Sequence, residues 1–258
     1  MNRPIALLTD FGLTDHYVGS LKSVILSINP KAVIFDLTHD IRPQNIREGA
    51  YILDAIFPFL PKGTVVVAVV DPGVGSRREA ICIEAGDNYL LGPDNGLLTM
   101  AAANTKHKAR KLTNEKFFLK TISSTFHGRD IFSPCAAHLS KRNIFNSFGP
   151  VVNHIHQLDF PKANVSGGRV KGEIVYIDRF GNAMTNISSS LIRNKESVSV
   201  KTGKHTVPMK PFFSAGAHQE LFAIWNSSQT LELAVYQHSA EKLHGLKLGD
   251  AVEVSAST

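Results

Sequence analysis

The run GTVVVAVVD, residues 63–71, carries six consecutive apolar residues, Val65 to Val70, and ends on Asp71. A strand that is apolar at every position leaves no face for water. That fits a parallel sheet with helices packed on both sides. The run is also far too short to cross a bilayer.

The flanking text repeats the pattern. PIALLTD (4–10) and KAVIFDLTHD (31–40) read as strands that end in polar residues. Between them, HYVGSLKSVILSINP (16–30) sets Val18, Leu21, Ile25 and Ile28 near helix spacing before Pro30 stops it. NIREGAYILDAIFPFLP (45–61) does the same with Ile46, Ala50, Leu53 and Phe57. Strand, helix, strand, helix, strand is the rhythm of an α/β fold. Downstream, ICIEAGDNYLLGPDNGLLTMAAA (81–103) reads as short strands, a turn and a helix from Leu97. In TFHGRDIFSPCAAHLS (125–140) a polar loop with His127, Arg129 and Asp130 precedes a helix started by Ser133-Pro134.

From about Val170 the rhythm changes to short alternating strands. Val198 and Val200 alternate with serine, and Leu231, Leu233 and Val235 alternate with Glu232 and Ala234. The expected fold class is α/β. It comprises an N-terminal Rossmann-like α/β domain with a mostly parallel sheet and a smaller C-terminal all-β, barrel-like domain. The expected boundaries are 1–160 and 161–258.

The chain has 258 residues, 43% hydrophobic and 19% charged, with a formal net charge of +6. These values suit a soluble globular protein. The densest basic group, NTKHKARKLTNEK (104–116), reads as a solvated face, and NTKHKARK interleaves no aromatic with its charges. Neither a nucleic acid nor a membrane is an expected partner. Cys82 and Cys135 sit in apolar text without a CxxC pair, and the first twelve residues reach an aspartate too early for a secretory signal. A cytoplasmic location is expected.

Open α/β sheets bind ligands outside the carboxyl ends of their strands. Here those ends carry Asp10 and Asp15, then His39 and Asp40, then Asp71, Arg77 and Arg78. DPGVG (71–75) lacks the P-loop lysine and the GxGxxG pattern, so it indicates no nucleotide-triphosphate or dinucleotide site. Gly73 and Gly75 would let backbone N–H groups approach a small ligand. The histidines and aspartates lack the spacing of a metal site, and no GxSxG elbow is present. In the second domain, IDRFGNAMTNIS (177–188) groups Asp178, Arg179, Phe180 and Asn182, an aromatic beside polar groups that can hold a base. Asn226, Ser227 and Ser228 form a turn.

Seven ordered segments now resemble one family: LLTDFGLTDHYVG, THDIRPQNIREGAYIL, VVDPGVGSRR, LGPDNGLL, FHGRDIFSPCAAHLS, IDRFGNAMTNI and NSSQTLELAV. They are similar to the motifs of the S-adenosyl-L-methionine hydroxide adenosyltransferases, relatives of the fluorinase and chlorinase enzymes. The likeness runs from about residue 5 to residue 252. It implies hydrolysis of S-adenosyl-L-methionine to adenosine and methionine by hydroxide attack on ribose C5′. It also implies homotrimers with each active site between the N-terminal domain of one subunit and the C-terminal domain of its neighbour. The water-activating triad falls on Asp71, Arg78 and His127. Asp10 corresponds to the ribose-diol position, and Asp15 with Tyr17 to the methionine end. Asp178 corresponds to the methionine amino group, and Phe180 and Asn182 to the adenosine. Asn226, Ser227 and Ser228 correspond to adenine and methionine contacts. No metal and no cofactor are implied. Cys135 and Gln229 stand where smaller residues are expected. Two other readings remain at this stage, a halide-dependent transferase of the same fold and a non-catalytic S-adenosylmethionine-binding protein.

Overall fold

The computed structural model describes residues 2–192 and 198–256. Its contacts divide the chain into two compact units, Met1–Asp159 and Phe160–Thr258.

The first unit is built on a seven-stranded sheet. In chain order its elements are β1 (Ile5–Thr9), α1 (Tyr17–Ile28), β2 (Ile34–Thr38), α2 (Ile46–Ile56), β3 (Val65–Val69), β4 (Ala80–Ala85), β5 (Asn88–Pro93), α3 (Thr99–Ala103), β6 (His107–Lys111), α4 (Ser133–Lys141) and β7 (Val151–Val152). The strand order is β2-β1-β3-β5-β4-β6-β7. The valine-rich β3 lies inside it, buried at every position. Val65, Val67 and Val69 face a core shared with α1 and α4, while Val66, Ala68 and Val70 face one that includes Leu53 of α2 and Ala101 and Ala102 of α3. The all-apolar run therefore serves two helical layers, as its composition requires.

The sheet is parallel only in its first half. β1 pairs parallel with β2 and β3, and β3 with β5, whereas β4 pairs antiparallel with β5 and β6, and β6 with β7. The expectation of a mostly parallel sheet is corrected here. β4 and β5 are joined by Gly86-Asp87, with Gly86 at φ 58°, and a two-residue link can only return the chain antiparallel. The charged run HKARK, read as a solvated face, is strand β6, with Ala109 buried against β4 and its basic neighbours more exposed. The polar loop ahead of α4 is also corrected. Gly128–Phe132 form a π-helical turn that runs directly into α4.

The second unit contains β8 (Asn164–Ser166), β9 (Arg169–Ile177), β10 (Ala183–Ser188), β11 (Val198–Thr202), β12 (His205–Val207), β13 (Leu221–Trp225), β14 (Thr230–Val235), α5 (Ala240–His244) and β15 (Ala251–Ala256). Its strands run β12-β11-β15-β9-β10-β14-β13, with β8 beside β9, and each of these pairings is antiparallel. Just past β12 the chain meets β13: Ala223 N–H donates to the Pro208 carbonyl, and Lys210 N–H to the Ala223 carbonyl, each at 2.8 Å. This contact nearly closes the sheet into a barrel. Leu231 and Leu233 point inward with Ala183 and Ala223. The intervening positions of β14 point outward, and Ala234 packs there with Phe222 and Ile224.

Candidate active site

Parallel pairing puts the carboxyl ends of β2, β1, β3 and β5 along one edge. The chain passes from β1 to β2 on one side and then crosses to β3 on the other. The gap between β1 and β3 is thus a topological switch point, where open α/β sheets place their ligands. Thr9 and Val69 are partners in the ladder, so Asp10 and Asp71 follow the two strands that flank this gap.

Asp71 and Arg78 belong to one short loop after β3. Two tight turns shape it, with Val74 N–H donating to the Asp71 carbonyl and Ser76 N–H to the Gly73 carbonyl. Arg78 Nε lies 3.1 and 3.0 Å from the two Asp71 carboxylate oxygens, and Nη2 lies 2.5 Å from Oδ2. This is a fork-shaped, charge-assisted pairing. It is also dry, with the Asp71 side chain 4% exposed and that of Arg78 10%. The guanidinium lies 5.6 Å from the centre of the Phe132 ring.

His127 joins from a segment about fifty residues away in sequence. Arg78 Nη2 lies 2.7 Å from His127 Nδ1. A guanidinium has only hydrogens to offer, so Nδ1 accepts, and the neutral imidazole carries its proton on Nε2. Burial first, then the Arg78 charge, holds the imidazole below its ordinary 6.5. Arg78 therefore links the Asp71 carboxylate to the His127 imidazole, and Nε2–H is the ring's remaining donor.

The π-helical turn begins directly after His127. Asp130, in that turn, is fully buried. Its carboxylate takes hydrogen bonds from Arg129 Nε at 2.6 Å and from the Ser123 N–H at 2.8 Å. Arg129 and Asp130, read as part of a polar loop, thus hold the segment's shape. Such turns recur at functional sites because they re-aim one side chain within a helix.

The remaining first-unit candidates lie in the segments that follow β1 and β2 and at the start of α1. Asp10 Oδ2 accepts the Gln44 N–H at 2.7 Å, which leaves Oδ1 for another donor. Asp15 is exposed ahead of α1. Tyr17 is 40% exposed and packs edge-on against Phe126, with ring centroids 5.4 Å apart. Phe11 completes this aromatic group and was not singled out in the sequence. His39 bonds Thr9 Oγ1 at 2.8 Å and places Nε2 3.1 Å from Asp36, so it acts as a buried brace under the β1 loop. Among the described residues no group of three or more His, Cys, Asp or Glu is arranged to hold a metal ion.

The second unit has its own cavity, about 830 Å³, on the outer face of β10, β14 and β13. Asp178, Phe180, Asn182, Asn226 and Ser227 line it, and Ser228 does not. Asp178 Oδ1 accepts the N–H groups of Phe180 and Asn182, both at 2.9 Å, and so closes the 178–182 loop. Phe180 is left 76% exposed at the rim. Asn226 Oδ1 accepts from Ser228 N–H, Thr230 N–H and Thr230 Oγ1, which builds the β13–β14 turn. Gln229 holds φ 60° in that turn, which accounts for the smaller residue expected there. Trp225 and Glu232 also line it and were not among the residues expected to form a site. The Trp225 indole nitrogen is buried with no acceptor among the described residues.

Comparison with known proteins shows which family the chain resembles. Residues 5–149 match the family model described as SAM hydroxide adenosyltransferase N-terminal domain, and residues 172–253 the corresponding C-terminal domain. The (R)-S-adenosyl-L-methionine hydrolase of Thermus thermophilus is 37% identical over 98% of this chain and 99% of that protein. The one of Salinispora tropica is 36% identical over 98% and 97%. A fluorinase of Actinoplanes sp. is 30% identical over 72% of each protein. The crystal structure of an uncharacterized conserved protein from Thermotoga maritima superposes with a TM-score of 0.91 at 36% identity, covering 97% of this chain and 99% of that one. The chain belongs to the SAM hydroxide adenosyltransferase family.

Proposed function

We propose that this protein hydrolyses S-adenosyl-L-methionine to adenosine and L-methionine. The observation that carries this reading is Arg78 bonded to both Asp71 and His127 in a nearly dry site. The substrate is a sulfonium ion. As water-derived hydroxide bonds to C5′, the C5′–S electron pair returns to sulfur and a neutral thioether leaves. No general acid is needed, and one proton is released per turnover. The demanding part is the nucleophile, which must be held in line and stabilised as its charge develops. Arg78 and the Nε2–H of His127 supply donors of that kind. Neither a metal nor a redox cofactor enters the reaction.

In this reading Asp10 holds the ribose hydroxyls, with Asp15 and Tyr17 toward the methionine end. Phe180, Asn182, Asn226 and Ser227 hold the adenosine and methionine parts, and Asp178 attracts the ammonium group. The relatives named as hydrolases support the activity, and a carboxylate at Asp71 disfavours a bound halide ion. No helix among the described residues is long and apolar enough to cross a membrane. A cytoplasmic setting suits the two buried free thiols, Cys82 and Cys135.

The test is incubation of the pure protein with S-adenosyl-L-methionine in halide-free buffer. Adenosine and methionine should appear in equal amounts, and oxygen-18 water should label the 5′-hydroxyl. Added chloride or fluoride should yield no 5′-halo-adenosine. Absence of adenosine would sink the proposal.

The proposal extends to a homotrimer whose sites combine the first unit of one subunit with the second unit of its neighbour. What supports it is that the reactive groups and the aromatic cavity are carried by different units. Co-expressing Asp71→Asn with Asn182→Ala chains should then restore about a quarter of wild-type activity, since one site in four joins two intact halves. A site made within one chain would give no recovery.

A further inference from the structure

The amino ends of the parallel strands carry a second concavity in the first unit, on the sheet edge opposite the one that bears Asp10 and Asp71. It holds about 660 Å³. Four segments meet there: the chain ahead of β1, the loop ahead of β3, the β4–β5 link and the end of α4. They bring Arg3, Lys62, Lys141 and Arg142 to its wall, against a single carboxylate, Asp87.

Helix ends account for two of these cations. Arg3 Nη1 donates to the Leu139 carbonyl in the last turn of α4 at 3.1 Å, and Lys141 Nζ to the Ile28 carbonyl at the end of α1 at 3.2 Å. Positive charge is favoured at these negative dipole ends. The other two cations have no such tether. Lys62 stands on a loop and pairs with Asp87 at 3.1 Å, but both side chains are mostly exposed, and a pair of that kind contributes little. Arg142 leaves α4 in extended conformation, and among the described residues its guanidinium meets neither a carboxylate nor a hydrogen-bond acceptor. The one aromatic ring in the wall is closed off. Tyr89 is 6% exposed, and the Arg3 guanidinium lies 5.5 Å from its ring centre.

Like charges gathered around a concavity repel one another and focus a positive field into it, and a bound anion relieves the repulsion. We propose that this concavity binds a compact, multiply charged oxyanion of the pyrophosphate class. Arg3 and Lys141 are held in place by backbone carbonyls and form its fixed part. Lys62 and Arg142 supply the charges free to turn toward the ligand, and an arginine fork suits two phosphate oxygens at once. Cations drawn from four separate segments match charge spread over two linked centres better than charge on one. With no open aromatic face on which to stack, a nucleoside adds nothing to binding here. The proposal does not rest on the hydrolase reading, since none of these residues belongs to the reactive groups or to the cavity of the second unit.

Calorimetry with sodium pyrophosphate, in the absence of S-adenosyl-L-methionine, tests it. One pyrophosphate should bind per chain, several-fold more weakly as ionic strength rises from about 50 to about 300 mM. The double variant Lys62→Gln, Arg142→Gln should weaken binding about tenfold or more. Both positions are exposed, so its unfolding temperature and its kcat should match wild type. Lys201→Gln with Lys204→Gln removes the same charge from exposed positions of the second unit and should leave binding unchanged. Sulfate should bind about tenfold more weakly than pyrophosphate, and ATP no more tightly. Absence of pyrophosphate binding overturns the proposal. Equal weakening by the two double variants does so too, because it would mean diffuse attraction to a basic surface. Sulfate binding as tight as pyrophosphate, or ATP binding clearly tighter, overturns the assigned ligand class.

Discussion

Replacing Arg78 by methionine should lower kcat by about three orders of magnitude, the largest single loss expected in this protein. Arg78 has two tasks that no other residue here can take over. Its Nη2 lies 2.7 Å from His127 Nδ1, which fixes the tautomer with Nε2–H facing outward. Its fork is neutralised by Asp71 through three contacts, so its charge is held at a fixed place. Lysine cannot reproduce both contacts, so Arg78→Lys should rescue little. The loss also has a pH signature. The guanidinium helps hold the His127 imidazole below 6.5, with burial the larger cause. Removing it should move the histidine's titration upward, and the acid limb of the residual activity with it. Histidine resonances followed through an NMR titration would show this directly.

The variant will also be less stable, which must be separated from the chemistry. Asp71 is 4% exposed, and without its partner it becomes a buried, uncompensated charge. Breaking such a pair from one side costs about 3 kcal/mol. Adding Asp71→Asn to Arg78→Met should recover most of that stability while turnover stays lost. Asp71→Asn and His127→Ala alone should each reduce kcat by about two orders of magnitude. The three losses should not add, because the residues act as one unit. Normal turnover in a folded Arg78→Met protein would refute the proposed chemistry.

The sequence discloses some of these features and conceals others for identifiable reasons. The all-apolar β3 and the periodicity of α1 are local properties, and both appear where expected. That Asp71, Arg78 and His127 belong together was legible because each lies in a distinctive segment resembling a known motif, and the structure brings the three side chains into contact. The half-antiparallel sheet was hidden because apolar strands look alike whichever way they run. Only the Gly86-Asp87 link carried the direction, and it reads as an ordinary turn. Strand β6 was hidden because a strand next to the sheet's last, two-residue strand tolerates four basic side chains around one buried alanine. Glu232 was hidden because alternation assigns it to water, whereas the cavity it lines is assembled with residues some twenty and fifty positions away. Burial of that kind is set by tertiary packing, which no window of sequence contains.

Gly75 carries the second large prediction, and its role differs from the one its motif suggested. Gly73 and Gly75 were both read as places where the backbone meets a ligand. Gly75 sits at φ 78°, and a Cβ there would collide with the carbonyl oxygen of Ser124. Its lack of a side chain is what lets the loop bearing Asp71 and Arg78 lie against the segment that leads to His127. Gly75→Ala should destabilise the protein by about 3 kcal/mol, from the left-handed backbone and the forced separation together. More consequentially, it should pull the two segments apart and stretch the Arg78–His127 contact. A displacement near one ångström in such a site costs about a hundredfold in rate. Thermal unfolding and kcat measured on the same preparation would report both effects. Gly73 has no positive φ, and a Cβ there would lie 3.4 Å from Ser76 Oγ and 3.9 Å from Asp71 Oδ1, so Gly73→Ala should fold within about 0.5 kcal/mol of wild type. If Gly73 is where the backbone approaches substrate, that variant will raise KM and spare stability. Should Gly75→Ala instead keep full turnover, the close approach of the two loops is not what aligns guanidinium and imidazole, and the rigidity assigned to this site has another source.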